Sequence, residues 1–347
     1  MKISDPWSVH AADFPHEGSS IDKMRFLLNY AVLAPSSHNT QPWLFRLHGG
    51  GVDVIADRTR ALPVVDPHDR ELVLSCGAAI GMLRIALRGF GYAGAVELMP
   101  KPNDPDLLAT IGLGEPHTTT RGQIELLDAI ARRRTARVAF EQRTVPSAVI
   151  TSLQAVAAND WITLRVFGTK AERAELAQLV AEANRLQFAD PSFRRELAAW
   201  MHSRHGLTHD GMSLSSMGVP DILTPIGAAA LRSFDIGNGR AAASEDIAAL
   251  TPALAIVATD RECPEDWLLA GQALANILIT AAASGLVCGY LNQPIEVPGL
   301  RMRLAQMLVP HTYPQLILRV GYGPAIPPAA RRSVEDVIIG EEMLAHV

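Results

Sequence analysis

The spacing of apolar residues predicts helices and strands in an order that the chain uses twice. Between Met24 and Leu33, apolar side chains recur mostly every three or four positions, which predicts a helix. Apolar and polar residues then alternate on both sides of Gly49-Gly50-Gly51, as expected for a hairpin. The elements predicted in this first series are helices over residues 21–33 and 71–87 and strands over residues 43–47, 52–56, 96–99 and 108–113.

A second series begins near residue 124 and repeats much of this order. The strand around Arg46 has a counterpart around Arg165, and the helix of small residues after Glu71 has a counterpart after Glu265. The second series is longer than the first by about 76 residues. Its predicted elements are helices over residues 146–158 and 265–284 and strands over residues 162–167 and 316–320.

This repeat predicts an α+β fold made of two halves, each with a mostly antiparallel sheet flanked by helices. We expect the first half at residues 21–120 and the second at residues 121–347. The extra length of the second half falls at about residues 170–246. So long an insertion in a compact domain is commonly a lid or a binding element, and an ordinary helical embellishment is the alternative.

Residues 34–43, which link the first predicted helix to the first predicted strand, form the most distinctive loop of the chain. Pro35 ends the helix and Pro42 prevents it from restarting. The residues between the two prolines are mostly small or carry amides, so the loop exposes backbone N–H groups and short hydrogen-bonding side chains. On its local pattern alone, the loop is explained equally well as a polar connection.

The strongest cluster of positive charge is Arg132-Arg133-Arg134-Thr135-Ala136-Arg137, in a protein with a formal net charge of −5. It follows a helix predicted to begin near Glu125. Arginines at the C-terminal end of a helix interact favourably with its dipole, so a solvated helix end is one interpretation. The other is a phosphate site, because guanidinium groups and hydroxyls bind phosphate well. Residues 16–25, the corresponding place before the first series, have no such cluster, which predicts one phosphate site per chain.

Residues 34–43 resemble the segment with which nitroreductase-family flavoproteins approach the flavin ring of FMN. The chain is most similar to the Acg-like branch, in which two nitroreductase-like halves are joined. This resemblance implies a tandem nitroreductase-like fold whose halves form a dimer-like unit within one chain, called the pseudo-dimer below. The other stretches that carry the resemblance are Asp57-Arg58-Thr59-Arg60, Asp66-Pro67, Arg132 to Arg137, Leu291-Asn292-Gln293-Pro294 and Gly321-Tyr322-Gly323-Pro324.

The resemblance also implies which residues hold FMN between the halves. The family pattern Arg-Arg-Ser-x-Arg maps onto Arg133 to Arg137, with Thr135 in place of serine. Arg133 and Thr135 would then hold the phosphate, and Arg137 would face the pyrimidine edge of the flavin. Pro35 would pack against the ring. The complete set of predicted cofactor-binding residues is Pro35, Ser36, Ser37, Asn39, Arg133, Arg134, Thr135, Arg137, Cys288, Gly289, Arg331 and Arg332.

Two pairs in this set come from the last part of the chain. Arg331 and Arg332 resemble a basic pair that completes the phosphate site, with Arg331 favoured, although a charged tail would explain them as well. Cys288 and Gly289 match the segment whose backbone N–H approaches flavin N5, although packing alone could account for them. Since the flavin carries the redox chemistry, no catalytic side chain is predicted.

Composition argues against several other classes of protein. The acidic balance gives no electrostatic reason to expect a nucleic-acid partner. Three cysteines far apart imply no disulfide framework, and neither a Rossmann fingerprint nor a P-loop is present. The apolar run over residues 272–291 is long enough to span a membrane, but its polar residues suit a buried helix better. His202, His205 and His209 have the spacing of metal ligands on a helix, but Gly206 weakens that helix, so we expect lid surface or substrate contact and no metal.

The resemblance to the nitroreductase family implies an FMN-dependent oxidoreductase of the nitroreductase type. It would take hydride from NAD(P)H, a transient partner, and pass it to a small aromatic acceptor such as a nitro compound or a quinone. A protein that binds or sequesters FMN with little turnover, because its lid closes over the flavin, is the alternative; a relic without flavin is a third possibility. We expect a cytoplasmic protein without a membrane partner, as a monomeric pseudo-dimer or a loose homodimer.

Overall fold

The computed structural model describes residues 5–158, 161–203, 208–214 and 220–340, which form two four-stranded sheets and ten α-helices. The strands are β1 (Trp43–His48), β2 (Gly51–Ala56), β3 (Val96–Leu98), β4 (Leu107–Ile111), β5 (Ile162–Phe167), β6 (Ala253–Thr259), β7 (Val287–Tyr290) and β8 (Tyr313–Gly321). The helices are α1 (Ser20–Ala31), α2 (Arg70–Gly89), α3 (Arg121–Arg132), α4 (Ser147–Ala157), α5 (Lys170–Ala189), α6 (Pro191–Ala199), α7 (Thr224–Ser233), α8 (Gly237–Ala249), α9 (Pro264–Ala283) and α10 (Pro298–Ala305).

The two sheets have the same strand order. The first runs β1-β2-β4-β3 and the second runs β5-β6-β8-β7, and all pairings within both sheets are antiparallel. Each sheet also has its long apolar helix, α2 or α9, at the same place in the order, after its second strand. Two helix-flanked antiparallel sheets confirm the predicted α+β fold. The division at residue 120 stays a prediction.

Most predicted elements agree with the structure to within about three residues at each end. Helix α3 differs, because it begins at Arg121 and not near Glu125. Thr120 and Gln123 form a capping box: the Thr120 hydroxyl accepts from the Gln123 backbone, and the Gln123 side chain accepts from the Thr120 backbone at 2.8 Å. These bonds satisfy free N–H groups one turn earlier than the apolar pattern indicates.

Helices α2 and α9 lie against each other and join the two halves. A Cβ atom at Gly271 would lie 2.1 Å from the carbonyl oxygen of Leu74, and one at Gly77 would lie 2.4 Å from that of Leu268. Only glycine allows the two backbones to approach so closely. Both helices are long and apolar enough to cross a membrane, and 83% and 67% of their most apolar windows are buried. Their mutual packing accounts for this composition without a membrane.

The second sheet is covered by apolar residues on both faces. In β6, Ala255 and Val257 face the main core, whereas Leu254 and Ile256 face a second core to which α5 and α8 contribute. The predicted insertion at residues 170–246 therefore begins and ends with helices that the second half needs for its own core. Successive side chains of a strand point to opposite faces of the sheet, and both faces of this sheet carry apolar side chains.

Residues 190–236 are called the insertion segment below, and its described parts, 190–203, 208–214 and 220–236, leave this core. The buried apolar residues of these parts form a cluster with Leu62 and Val65 of the first half. The end of the described chain also reaches the first half, since Phe45 N donates to Val337 O at 2.8 Å and Ile339 N donates to Phe45 O at 2.9 Å. The two crossings bring distant parts of the sequence together around one cavity.

Candidate functional site

A cavity of about 290 Å³ lies where the two halves meet. Its walls are the loop before β1, the arginines after α3, one face each of α5 and α8, part of the insertion segment, and residues 326–331. The volume is close to the lower end of the range for small-molecule sites. Elements from nearly the whole length of the chain therefore contribute to one site.

Most predicted cofactor residues line this cavity, and Ser36 of the first half shares it with Arg133 of the second. Three do not line it, namely Cys288, Gly289 and Arg332. The predicted residues on its walls are Pro35, Ser36, Ser37, Asn39, Arg133, Arg134, Thr135, Arg137 and Arg331.

Arg133 ends α3 and carries the most buried guanidinium of its cluster, at 3% exposure. Its Nη1 donates to the Thr135 hydroxyl at 3.1 Å, and its Nη2 donates to the Leu33 carbonyl of the first half at 3.2 Å. Its Nε is buried and has no partner among the described residues. Burial lowers the pKa of Arg133. A buried cation with a donor to spare requires an acceptor, preferably an anion.

Arg331 and Arg332, adjacent in sequence, lie in different surroundings. It is 6% exposed, it lines the cavity, and its Nη1 donates to Asn39 Oδ1 at 2.7 Å. Arg332 turns the other way, donates to Gln41 O at 3.2 Å and lies 3.6 Å from the Asp57 carboxylate. Arg332 therefore fixes the loop before β1 instead of facing the cavity.

Asn39, predicted to bind the cofactor, forms its hydrogen bonds within the protein. Its Nδ2 donates to the carbonyl oxygens of Gly211 at 2.9 Å and Ala330 at 3.1 Å, and its Oδ1 accepts from Arg331. This amide has donors and acceptor engaged within the protein. Asn39 therefore holds the wall of the cavity and has little capacity left for a ligand.

Cys288 and Gly289 lie beneath the arginine cluster instead of facing the cavity. Cys288 O accepts from Ala136 N at 2.8 Å, and a Cβ at Gly289 would lie 2.3 Å from Ala136 O. The backbone of β7 forms hydrogen bonds with residues 135–136, where Thr135 and Cys288 form a parallel β-bridge. Their role in the structure is to support the cluster.

Arg319 is a site residue that the sequence reasoning missed. It is 2% exposed near the end of β8, and its Nη2 and Nη1 donate to the carbonyls of Ala136 at 2.8 Å and Val138 at 3.2 Å. Burial lowers its pKa to about 10. The sequence indicates this residue, because Arg319 interrupts the apolar run at residues 316–320. A charge buried in such a strand is costly unless it has hydrogen-bonding partners.

Trp7, in a short 3-10 helix at Pro6–Ser8, was also missed. Its ring lies under two site arginines, with the guanidinium carbon of Arg134 at 4.4 Å and that of Arg331 at 5.4 Å from the ring centroid. Its Nε1 donates to Ala329 O at 2.8 Å. Cation–π contacts of this kind orient guanidinium groups without neutralising them.

His38 and Arg137 lie on the same part of the wall. His38 adopts a left-handed backbone conformation with φ of 50°. Burial, and secondarily the charge of Arg137, lower the pKa of His38 to about 4, so the imidazole is neutral near pH 7. Its Nε2 is buried without a partner in the described part of the chain. The pair therefore presents a cation beside a neutral ring with an unused nitrogen.

Three carboxylates line the cavity, and two of them are paired. Glu71 accepts from Ser37 and forms an ion pair with Arg70 at 2.8 Å, and Asp210 forms an ion pair with Arg60. Glu296 accepts a hydrogen bond from Gln187. Burial, and secondarily the charge of Glu71, raise the pKa of Glu296 to about 8, so this carboxyl is largely protonated at pH 7.

The arginines of the cavity are not balanced by these acids. Within the described ranges of the chain, no carboxylate lies within 4.0 Å of the guanidinium nitrogens of the arginines on its wall. Such a concentration of unpaired positive charge is costly in a partly buried site. The arrangement is suited to an anionic ligand. The arginines concerned are Arg133, Arg134, Arg137, Arg240, Arg319 and Arg331.

The insertion segment closes one side of the cavity. Gly211 N donates to Asn39 O at 3.2 Å, and the ring of His202 contacts Asp210 at 2.9 Å. His202 and Asp210 both line the cavity. His205 lies outside the described residues, and among those described no three His, Cys, Asp or Glu side chains form a group that could hold a metal ion.

Comparison with known proteins identifies relatives along nearly the whole chain, although no protein-family model matches it. "Putative NAD(P)H nitroreductase Rv3131" of Mycobacterium tuberculosis (strain ATCC 25618 / H37Rv) is 34% identical over 331 residues, 93% of this chain and 93% of that protein. "Putative NAD(P)H nitroreductase acg" of the same strain is 29% identical over 91% of this chain and 95% of that protein.

Solved structures are similar at a lower level. The FMN- and NADPH-dependent nitroreductase NfnB from sphigopyxis sp. strain HMH has a TM-score of 0.40 and 18% identity, over 62% of this chain and 97% of that chain. A nitroreductase with bound FMN from Bacteroides fragilis has a TM-score of 0.35 and 15% identity, over 58% and 89%. Because a relative that is 34% identical covers 93% of this chain, this chain belongs to the nitroreductase family, and within that family it is similar to acg.

Proposed function

We propose that this protein is an FMN-dependent oxidoreductase that takes hydride from NAD(P)H and passes it to a small acceptor, such as an aromatic nitro compound or a quinone. The observation that carries the proposal is the set of unpaired arginines around one cavity in a member of this family. The names of the relatives, which describe NAD(P)H nitroreductases, support the choice of reductant.

The donors at the arginine cluster fit the phosphate of FMN. The unpartnered Nε atoms of Arg133 and Arg331 and the hydroxyl of Thr135 would supply charged and neutral hydrogen bonds to its oxygens. Arg134, whose guanidinium packs against the ring of Trp7, would add positive charge near the phosphate. Since each charged contact of this type contributes about 1.5–3 kcal/mol, the set is sufficient to retain a phosphate ester.

The loop before β1 fits the ring of the cofactor. Pro35, Ser36 and Ser37 offer a flat, small-residue wall, and Arg137 supplies positive charge for the pyrimidine edge. FMN supplies two-electron redox chemistry when it is bound, so the residues of the chain need only bind, orient and shield it. We therefore assign no side chain as a catalytic residue.

Among the described residues, one set of arginines and one such loop line the cavity, and they come from different halves. We propose that the halves, residues 21–120 and 121–347, form a pseudo-dimer with a single FMN, and that the chain acts as a monomer or a loose homodimer. The supply of NAD(P)H makes a cytoplasmic location the natural one for this reaction.

A second candidate function is the binding or sequestering of FMN with little turnover. It is favoured by the insertion segment, which we propose as a lid because it is bonded to the opposite wall through Asn39 and through Gln41, whose Nε2 donates to His209 O at 2.8 Å. A lid that stays closed would keep both NAD(P)H and the acceptor from the ring.

The visible spectrum of the purified protein, followed by anaerobic stopped-flow mixing with NADPH or NADH, tests these candidates. A yellow protein with one FMN per chain that is bleached by the nucleotide is expected for the oxidoreductase. Flavin that stays oxidised would support sequestering. A colourless protein that takes up no added FMN would overturn both candidates and favour a relic.

A further inference from the structure

Arg240 occupies a place in the cavity that the cofactor proposal does not use. It lies on α8, and Arg240, Ser244 and Ile247 all line the cavity. Residues separated by four and then three positions share one face of a helix, so α8 presents a defined strip to the cavity. Ser244 is 5% exposed, which places a hydroxyl one turn from the guanidinium in a mostly buried setting.

An aromatic wall lies beside this strip. Phe188 at the end of α5 and Phe193 of α6 line the cavity, and their rings meet edge to face with centroids 5.3 Å apart and an interplanar angle of 76°. Gly237, which begins α8, packs so near α5 that a Cβ there would lie 3.0 Å from the Cβ of Phe188. The start of α8 and the aromatic pair therefore bound the same region of the cavity.

The charge of Arg240 is uncompensated. In the part of the chain that the structure describes, its guanidinium has neither an ion pair nor a side-chain hydrogen bond. Burial lowers its pKa, and no neighbouring charge contributes to that shift. A half-buried guanidinium without an acid in reach favours an anionic ligand.

Arg240 is also distinct from the arginines assigned to the phosphate. Arg240 lies on α8, whereas Arg133 and Arg134 follow α3 and Arg331 lies in the last wall of the cavity, at residues 326–331. FMN has a single phosphate, which the arginine cluster accommodates. We therefore assign an anion at Arg240 to a second molecule.

We propose that Arg240 and Ser244 bind an anionic substituent of the molecule that reacts with the cofactor, while Phe188 and Phe193 pack against its ring. The shared chemistry is an aromatic or heteroaromatic ring with a negatively charged group. Two sources satisfy it, an aromatic acceptor with a carboxylate and the 2′-phosphate of NADPH. This inference rests on the proposed function, because that function supplies the second molecule.

Binding without turnover tests the inference. Isothermal titration calorimetry of the oxidised, FMN-loaded protein would compare 4-nitrobenzoate with 4-nitrobenzamide, and NADP⁺ with NAD⁺. Within each pair the two ligands differ mainly in one charged group. The test variant is Arg240→Gln, and the control is Arg185→Gln, which removes a charge from the exposed side of α5 outside the cavity.

The wild-type protein should bind the charged member of at least one pair about tenfold more tightly than the neutral member. Arg240→Gln should abolish that preference with unchanged FMN content, and Arg185→Gln should keep it. If Arg240→Gln loses the preference for 4-nitrobenzoate over 4-nitrobenzamide, the anion is an acceptor carboxylate. If it loses the preference for NADP⁺ over NAD⁺, the anion is the 2′-phosphate.

Equal binding within both pairs by the wild-type protein, or a preference that survives in Arg240→Gln, would overturn the inference. Failure of the proposed function would be recognised by a different observation, namely that the purified protein contains no FMN. In that event the same titrations of the flavin-free protein decide the role of Arg240 by the same criteria.

Discussion

Arg331 donates a hydrogen bond from Nη1 to Asn39 Oδ1 over 2.7 Å, and this bond joins the last part of the chain to the loop before β1. The same amide donates to Gly211 in the insertion segment. Asn39 itself has a φ of 58°, a left-handed conformation that asparagine tolerates better than most residues. One buried side chain thus sets the positions of three walls of the cavity.

Asn39→Ala should therefore weaken FMN binding and lower stability. The substitution removes an acceptor from the buried Arg331 guanidinium and a side-chain donor from the Gly211 carbonyl, at a cost of about 1–3 kcal/mol for each group left unsatisfied. The Ala330 carbonyl keeps its bond from Arg331 Nη1 at 2.8 Å. Fluorescence titration with FMN and urea unfolding measure the two effects. Asn103→Ala, in an exposed loop, is the control. An Asn39→Ala protein with wild-type affinity and stability would show that the cavity wall does not depend on this amide.

Arg133→Ala should reduce the affinity for FMN by a factor of about 10 to 100, since a charged hydrogen bond of about 1.5–3 kcal/mol is lost. Arg132→Ala is a matched control, because Arg132 is the adjacent, exposed arginine outside the cavity. Equilibrium titration of the flavin-free proteins gives both values. Equal affinities in the two variants would remove Arg133 from the phosphate site.

Gly289→Ala should weaken FMN binding without a change to any residue that lines the cavity. The new Cβ would lie 2.3 Å from Ala136 O and 2.8 Å from Arg319 Nη2, so residues 135–137 must move. Gly299→Ala is the control, because a Cβ at Gly299 meets no atom within 4 Å. If Gly289→Ala binds FMN like the control, the support of the arginine cluster by β7 is not important for binding.

Gly271→Ala should lower the free energy of unfolding by about 1–3 kcal/mol or more, as overpacking between well-packed elements does. Its Cβ would lie 2.1 Å from Leu74 O across the contact between α2 and α9. Gly122→Ala in α3 meets open space and should be neutral or slightly stabilising. Urea unfolding measures both, and a Gly271→Ala protein as stable as the Gly122→Ala protein would contradict the described helix contact.

Glu296→Gln should flatten the dependence of stability on pH between 6 and 8. The pKa of Glu296 is about 8 in the folded protein, above its ordinary value of 4.5. The folded state therefore holds a proton that the unfolded state has lost, so this carboxyl favours folding at low pH and its contribution disappears as the pH rises toward 8. The stability difference between wild type and variant should fall by about 1 kcal/mol per pH unit in this range.

Urea unfolding of the flavin-free proteins at several pH values measures this difference, with Glu175→Gln on the exposed side of α5 as the control. The difference should be independent of pH for Glu175→Gln. A wild-type slope that Glu296→Gln leaves unchanged would mean that Glu296 is ionised in the folded protein.

The sequence predicted the regular elements well because local signals specify them. The hairpin across Gly49-Gly50-Gly51, the two helices of small residues and the repeat are visible as patterns of neighbouring residues. The start of α3 was missed because a polar capping box outweighed the apolar period. The extent of the insertion, about residues 170–246, stays a prediction, and the sequence did not indicate that α5 and α8 contribute to the second core.

Within the candidate site, the sequence identified residue types but not all of their directions. Cys288 and Gly289 are near the site, yet their strand pairs with residues 135–136, and no local pattern encodes that register. Arg319 was detectable as a charge inside an apolar strand, whereas Trp7 had no signal, since a single aromatic residue in an irregular segment has many possible partners.

The matching strand orders of the two sheets have a consequence for how such a protein can change. In a symmetric homodimer every substitution occurs twice and alters both copies of an interface. Within a single polypeptide, one half can have arginines after its helix while the other has a loop of small residues. A substitution in one half then leaves the other half unchanged. Two sheets of the same order in one chain are free of that constraint, so the residues around each sheet can change independently.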